Sequence, residues 1–192
     1  MDLISKIEAL FQRRGGCCYL HGAQGERVTA LQHALQCAQL AEWAHADQAL
    51  VAAALLHDLG QLMDGAPGEA LREDQHELRA LPLLAGGFGA EVLEPIRLHV
   101  QARRYLASTD ERYAQALPPA AQRSLASRGG RMMAEERLLF MACPHASAAL
   151  QLRRWDDLAV HPGKRTPPLG YYLGLLDDLL RQARRPARLA IA

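Results

Sequence analysis

The residues of this chain with the clearest chemical potential are His57 and Asp58, which stand at the end of the apolar stretch LVAAALLHDLG. An ionised aspartate is costly to bury alone, so a buried Asp58 requires a cation or a hydrogen-bond network. The alternative is a histidine and an aspartate at a helix end that backbone groups satisfy. The pair by itself leaves both interpretations open.

Other segments offer further ligands of the same two kinds. His33 interrupts an apolar helix face in LQHALQ, where leucine or alanine would be expected. The remaining candidates, in DQHELRA, EPIRLHVQARRYL and LRRWDDLA, are His76, His99 and Asp156. Five segments that each offer an imidazole or a carboxylate together indicate a metal centre. This donor set suits iron, manganese or zinc, and one carboxylate could bridge two ions with open coordination positions.

The elements that must position these ligands are predicted to be helices. Apolar residues recur at spacings of three and four over residues 2–13 and again after Thr29, which can cap the next helix. The helix at about 46–59 is apolar almost all round, so we expect it at the centre of the fold, with Gly60 as its C-terminal stop. Residues 15–25 are predicted to be a loop, and no convincing strand is found. Further helices are predicted at about 69–84, 90–106, 134–141, 145–158 and 171–184. The fold class is therefore predicted to be all-α, a single helical bundle of roughly seven to nine helices.

The bulk composition narrows the function classes. The chain has 192 residues, of which 49% are hydrophobic and 22% charged, and this suits one globular domain. A formal net charge of +1 gives no electrostatic basis for binding nucleic acid or an anionic membrane. No apolar run reaches the ~20 residues of a membrane helix, and the N-terminus is amphipathic rather than signal-like, so we expect a cytoplasmic protein. The four cysteines lack zinc-knuckle spacing and are interpreted as reduced thiols of minor structural importance.

The order His33, His57-Asp58, His76, His99, Asp156 resembles that of the HD-domain superfamily of helical metalloproteins. Within this superfamily the chain resembles the di-iron oxygenases of phosphonate catabolism, relatives of myo-inositol oxygenase. The resemblance implies one HD domain over residues 1–192, with the metal-site core at about 25–159, an N-terminal helix at 2–13 and a C-terminal helix at about 171–184. It is carried by GERVTALQHALQCAQLA, LVAAALLHDLGQL, DQHELRALPLL, EPIRLHVQARRYL, SLASRGGRMM and LRRWDDLA.

The resemblance also implies the ligand assignment and the reaction. His33, His57 and Asp156 would hold the first metal, His76 and His99 the second, and Asp58 would bridge them. The implied cofactors are two iron ions, a mixed-valent Fe(II)/Fe(III) pair, with O2 as co-substrate. Glu26, seven residues before His33, matches a family glutamate that reaches the second iron in the resting site and yields to substrate. The implied reaction breaks the carbon–phosphorus bond of a small hydroxylated organophosphonate oxidatively, leaving phosphate and a carboxylate.

The substrate contacts implied by the resemblance involve mostly cationic and hydroxyl side chains. Arg103 stands where the family carries a lysine that meets the anionic group, and Arg153 matches a family arginine with a similar task. An arginine suits a phosphonate because its planar fork can donate two parallel hydrogen bonds. The segment that supplies further polar contacts in the family corresponds here to Ser124, Ser127 and Arg128.

Two positions depart from the family pattern and bear on the substrate. Ala23 stands where the family often has a tyrosine that caps the resting iron site, and Tyr19 or His21 could substitute for it. Gln61 replaces a histidine near the metals; it can exchange hydrogen bonds with a substrate but cannot carry a proton at neutral pH.

Three function classes remain open from the sequence. The first is the di-iron oxygenase, favoured by Glu26 and by the sequence around His99 and Asp156. The second is an HD-type metal-dependent phosphohydrolase acting on a small phosphate ester or nucleotide. The third is a non-catalytic metal-binding protein, suggested by Ala23 and Gln61. The expected partner is a small anionic molecule, with neither nucleic acid nor membrane, and the oligomeric state is open.

Overall fold

The computed structural model describes residues 2–21, 27–63 and 75–184, and the described part is mainly helical. The all-α prediction is confirmed. No helix in these ranges is long and apolar enough to cross a membrane. Two short strands, β1 (Cys18–His21) and β2 (Arg27–Thr29), pair antiparallel, and a 3-10 helix covers Leu59–Leu62. The α-helices are α1 (Leu3–Arg14), α2 (Ala30–Trp43), α3 (Gln48–Leu56), α4 (His76–Arg79), α5 (Leu81–Leu84), α6 (Ala90–Thr109), α7 (Glu111–Ala116), α8 (Pro119–Ser127), α9 (Ala134–Met141), α10 (Ala146–Leu158) and α11 (Leu169–Arg184).

The buried central helix that the sequence predicted is α3. The Asp47 carboxylate accepts a hydrogen bond from the Leu50 amide at 2.8 Å and so caps the helix. All residues from 50 to 56 are buried. The helix packs against α2, α6, α10 and α11. Three of these neighbours carry candidate ligands, so the apolar character of α3 brings those ligands around its C-terminal end.

Gly60 does not end α3, contrary to the prediction. The helix ends with His57 as its C-cap, and Gly60 lies inside the 3-10 helix that follows. A Cβ at position 60 would lie 2.0 Å from the carbonyl oxygen of His76, far inside van der Waals contact. Gly60 therefore lets the 3-10 helix and α4 approach closely, and this contact places His76 near Asp58.

The β-hairpin occupies a segment that the sequence predicted as a loop, in a chain expected to lack strands. The pairing sets Leu20 opposite Val28, and Val28 is buried. Strands of four and three residues are too short to show alternation of apolar and polar positions, so periodicity could not reveal them. The hairpin leads directly into α2. The predicted cap there is confirmed, because Thr29 and Gln32 form a reciprocal capping box.

Two helices that the sequence did not predict, α7 and α8, follow α6. Neither contains a buried residue, so no apolar stripe marks them in the sequence. Their N-termini follow ordinary rules: Asp110 accepts a hydrogen bond from the Tyr113 amide at 3.1 Å, and Pro119 starts α8.

The helix predicted over about 69–84 is broken in its described part into α4 and α5. Pro82 lies in the first turn of α5 and has no amide hydrogen for a continuous helix, so the chain breaks at Ala80. Residues 69–74 lie outside the described residues. Helix α4 begins at His76.

Candidate metal centre

Four buried histidines, carried by four different helices or helix ends, meet beside α3. Three of them face a backbone carbonyl oxygen with Nδ1. Because a carbonyl oxygen only accepts, each of these Nδ1 atoms carries the ring hydrogen and donates it, which leaves Nε2 with a free lone pair. The pairs are His33 with Ala159 at 2.9 Å, His57 with Ala54 at 2.9 Å and His99 with Ile96 at 2.7 Å; the fourth histidine is His76.

The Nε2 atoms of these histidines face each other in two pairs. His33 Nε2 lies 3.3 Å from His57 Nε2, and His76 Nε2 lies 3.3 Å from His99 Nε2. Because Nδ1 of both rings faces a carbonyl, His33 and His57 turn their Nε2 atoms toward each other. Two imidazole nitrogens this close need a proton or a metal cation between or beside them.

Asp58 lies between the two histidine pairs, with one oxygen facing each. Its Oδ1 lies 2.9 Å from His76 Nε2 and 3.9 Å from His99 Nε2. Its Oδ2 lies 3.4 Å from His57 Nε2 and 3.7 Å from His33 Nε2. Oδ2 is buried and has no hydrogen-bond partner among the described residues. A buried carboxylate oxygen without a donor fits a metal ligand.

Asp156 completes the cluster from α10. Its Oδ1 lies 3.3 Å from His33 Nε2, and its Oδ2 lies 3.7 Å from His57 Nε2. Burial opposes its ionisation, but the Arg153 guanidinium, which pairs with it, and His57 hold the pKa of Asp156 well below its usual range. Asp156 is therefore an anion at neutral pH.

The electrostatic field of the cluster attracts cations. Burial lowers the pKa of His57, but the Asp58 and Asp156 carboxylates outweigh burial and raise it to about 10. Burial, with His57 and His76 nearby, lowers the pKa of His99 well below its usual value, so this ring is neutral. The carboxylates that draw a proton to His57 would draw a metal cation in the same way.

The predicted ligand atoms form two groups, in each of which they lie within 4.8 Å of one another, and a third such group joins Cys37 to His33 and His57. Group 1 is His33, His57, Asp58 and Asp156, and group 2 is Asp58, His76 and His99. The described residues therefore fit metal ions bound by imidazole and carboxylate, a donor set typical of iron, manganese and zinc. Asp58 belongs to both groups.

Cys37 is a neighbour of group 1 that the sequence analysis did not single out. Its Sγ lies 3.6 Å from His33 Nε2, one helical turn away, and the spacing of four residues was the available signal. Burial, together with Asp156 and Asp58, raises the pKa of this thiol well above its usual value. Because the thiolate is the metal-binding form, Cys37 is a poor ligand beside these carboxylates.

Tyr19 on β1 covers group 1. Its ring stacks on the His33 ring with centroids 3.8 Å apart and planes 15° apart. Its hydroxyl donates to Asp156 Oδ1 at 3.4 Å. Of the two residues that could replace a tyrosine at Ala23, Tyr19 thus contacts two ligands of group 1. Ala23 lies outside the described residues, and the His21 side chain is not described either.

A cavity of about 860 Å³ opens above both groups. Among the predicted substrate residues, Arg103 lines it and donates to Ser124 Oγ at 3.3 Å. Ser124 and the buried Gln61 line it as well. Ser127 does not: it is exposed, and its hydroxyl donates to the Ser124 carbonyl at 3.0 Å. Glu26 lies outside the described residues.

The other two predicted substrate arginines line the cavity but pair with carboxylates of the protein. Arg128 donates to Glu77 at 2.9 Å. Arg153 is buried and pairs with Asp156 and Asp157. The contact of Arg153 with Asp156 holds a ligand of group 1 in place. This positioning role was not among the sequence predictions.

The wall contributed by α7 and α8 holds residues that the sequence analysis missed. Tyr113 lines the cavity, and its hydroxyl donates to Asp157 Oδ2 at 2.6 Å. Asp157 also accepts from Arg153 Nε at 3.1 Å. Because α7 was not predicted, no signal in the sequence placed Tyr113 beside the metal groups, whereas Asp157 adjoins Asp156 on α10.

Comparison with known proteins gives relatives that span nearly the whole chain. Hydroxymethylphosphonate dioxygenase from Gimesia maris is 46% identical over 175 residues, which are 89% of this chain and 85% of the relative. [1-Hydroxy-2-(trimethylamino)ethyl]phosphonate dioxygenase (glycine-betaine-forming) from Leisingera caerulea is 30% identical over 93% of this chain and 91% of its own. Uncharacterized protein L432 from Acanthamoeba polyphaga mimivirus is 31% identical over 94% and 83% of the two chains. No family model matches the chain.

Proposed function

We propose that this chain, because it belongs to the phosphonate dioxygenase family of HD-domain proteins, uses O2 to cleave the carbon–phosphorus bond of a small hydroxylated organophosphonate. The observation that carries the proposal is the pair of ligand groups joined by Asp58 on the floor of a cavity that Arg103 lines. The relatives named for two different phosphonates support the substrate class.

The reaction balances without an external reductant. An organophosphonate R–CH(OH)–PO3²⁻ and one O2 give R–COO⁻, HPO4²⁻ and one proton. The carbinol C–H and C–P bonds break, the carbon is oxidised, and O2 receives all four electrons. Any enzyme of this kind therefore consumes O2 and releases phosphate in equal amounts.

The metal pair is proposed to be two iron ions in the mixed-valent Fe(II)/Fe(III) state. Group 1 would hold one ion and group 2 the other, with Asp58 as the bridge between them; Glu26 is proposed as a further ligand of the second ion. When bound, the metals supply O2 activation and the redox steps. The positions of the four histidines and Asp156 in the two groups support their assignment as metal ligands.

The remaining side chains are proposed to bind and orient the substrate. Arg103 would bind the phosphonate through its planar fork, with Ser124 holding the guanidinium in position. Arg153 would fix Asp156, and Gln61 would hydrogen-bond to the substrate from the buried side of the cavity. Arg128 could bind the phosphonate only while it also pairs with Glu77.

The experiment is to purify the protein anaerobically from iron-supplemented cells, count metals and record an EPR spectrum after partial reduction. O2 uptake and phosphate release are then measured with hydroxymethylphosphonate and larger 1-hydroxyphosphonates. About two irons per chain, the signal of a coupled mixed-valent pair and equal O2 and phosphate would support the proposal. Phosphate release without O2 uptake from phosphate esters would overturn it in favour of the hydrolase.

Asp58→Ala is the variant that tests the bridge. Because each oxygen of Asp58 faces a different histidine pair, the variant should lose both metals and all O2 uptake. Asp178→Ala, an exposed aspartate on α11, is the matched control and should keep both. Two metals retained in Asp58→Ala would refute the bridging role.

A further inference from the structure

The cavity above the metal groups changes character from its floor to its mouth. Its floor contains the buried His76 and His99 and the half-buried Asp58. Its mouth is lined by apolar residues of which several are exposed, among them Ala116, Pro118, Ala120 and Val160. A substrate anchored at the floor therefore extends any further substituent into apolar surroundings.

The apolar wall lies directly beside the arginine that would hold the phosphonate. On α8, Ala120 and Ala121 stand four and three residues before Ser124, so all three share one face of the helix. Ser124 accepts the hydrogen bond from Arg103. A phosphonate bound by Arg103 is consequently about one helical turn from the two alanines.

The size of the cavity exceeds what the smallest substrate needs. If each non-hydrogen atom takes at most the ~30 Å³ of a water molecule, hydroxymethylphosphonate and two metal ions occupy about 240 Å³. The cavity measures about 860 Å³. The space that remains can hold a substituent on the carbinol carbon.

The charges of the wall disfavour a cationic substituent. Among the described lining residues outside the metal groups, the carboxylate is Asp157, and it already accepts hydrogen bonds from Arg153 and Tyr113. The cationic residues Arg103 and Arg128 also line this part of the cavity. A quaternary ammonium group would meet neither an unpaired carboxylate nor an aromatic cage on the face of α8.

We propose that the preferred substrate is a 1-hydroxyalkylphosphonate whose carbinol carbon bears an uncharged apolar substituent, seated against Leu117, Ala120 and Ala121. This inference rests on the proposed function. With the same stoichiometry of one O2 per substrate, the products would be phosphate and the corresponding alkyl carboxylate. The face of α8 is then the specificity-determining surface of the enzyme.

The first test measures kcat/KM by O2 uptake on the iron-loaded enzyme for a series of substrates. Across hydroxymethyl-, 1-hydroxyethyl- and 1-hydroxypropylphosphonate, kcat/KM should rise by about fourfold for each methylene buried. A matched pair tests charge: [1-hydroxy-2-(trimethylamino)ethyl]phosphonate against its uncharged carbon isostere, (1-hydroxy-3,3-dimethylbutyl)phosphonate. The isostere should be preferred by at least about tenfold.

The second test places the preference on α8. Ala121→Phe fills the wall, so the ratio of kcat/KM for 1-hydroxypropyl- over hydroxymethylphosphonate should fall at least about tenfold. Ala126→Phe is the matched control, since Ala126 is exposed on the same helix and away from the lining, and it should leave the ratio unchanged. Highest activity with hydroxymethylphosphonate, preference for the cationic substrate, or an equal effect of both variants would each overturn the inference. O2 uptake with none of the compounds would instead overturn the proposed function itself.

Discussion

Arg103 differs from the other two arginines of the cavity in what its guanidinium contacts. Arg128 pairs with Glu77, and Arg153 pairs with two aspartates. Arg103 donates to the neutral hydroxyl of Ser124, and none of the described carboxylates lies within ion-pair distance of it. Its charge is therefore available for an anion, whereas carboxylates of the protein largely neutralise the charges of the other two.

Arg103→Ala should weaken phosphonate turnover without disturbing the metals. A hydrogen bond between charged groups contributes about 2 kcal/mol, so kcat/KM should fall by about 30-fold. Steady-state O2 uptake and metal counting measure the two quantities. Arg97→Ala, an exposed arginine earlier on α6 that pairs with Glu94, should change neither. Loss of metal from Arg103→Ala would show that the arginine supports the centre rather than the substrate.

Tyr19→Phe should weaken metal retention in group 1, because it removes the hydroxyl that donates to Asp156 while the ring can still stack on His33. The hydrogen bond contributes about 1 kcal/mol, which corresponds to about fivefold weaker binding. Competition with a chelator measures this. Tyr171→Phe removes a hydroxyl that donates to Glu42, far from the centre, and serves as control. Equal metal retention in both variants would contradict the role given to Tyr19.

At the residue scale, the positions of the histidines and aspartates could be predicted, and their arrangement could not. The apolar context of His33 and His57 marks them as buried polar groups, which require a partner. The stacking of Tyr19 could not be predicted, since it depends on a hairpin too short for a periodic signal. The pairing of Arg153 with Asp157, by contrast, could have been predicted, because residues four apart on a helix face each other.

The elements of the fold divide into those that form the core and those that form the cavity wall. Helix α10 could be predicted because one buried face imposes periodicity, and α3 because it is apolar almost all round. Helices α7 and α8 contain no buried residue, so they leave no pattern. The resemblance named Ser124 on α8, but the apolar residues of these two helices that line the cavity were the part of the site that the sequence did not reveal.

Gly60→Ala should separate two elements of the site. The added Cβ would lie 2.0 Å from the His76 carbonyl oxygen, so the 3-10 helix and α4 must move apart. Overpacking of this kind costs about 1–3 kcal/mol of the free energy of unfolding, and group 2 should lose its metal first. Denaturant unfolding and metal counting report both effects. Gly174→Ala, on an open face of α11, should stabilise the protein by about 0.5–1 kcal/mol.

At the scale of the whole molecule, metal binding should contribute substantially to stability, since the ligands come from five separate helices or helix ends. Metal at 1,000 times its Kd adds about 4 kcal/mol per ion, so stripping one ion should lower Tm by about 10 °C. Thermal melts with and without chelator measure the difference, and re-added metal should restore it. Asp58→Ala should show no chelator effect; a shift there would point to metal bound elsewhere.

The hydrogen bond from His33 to Ala159 joins positions 126 residues apart. Closing so long a segment costs conformational entropy, so this hydrogen bond stabilises the protein only once most of the chain has folded. A nascent chain that ends before α10 already contains all three residues of group 2 but lacks Asp156. During synthesis, the ligands of group 2 are therefore all present before those of group 1. Group 1 is complete only when the last quarter of the protein has emerged.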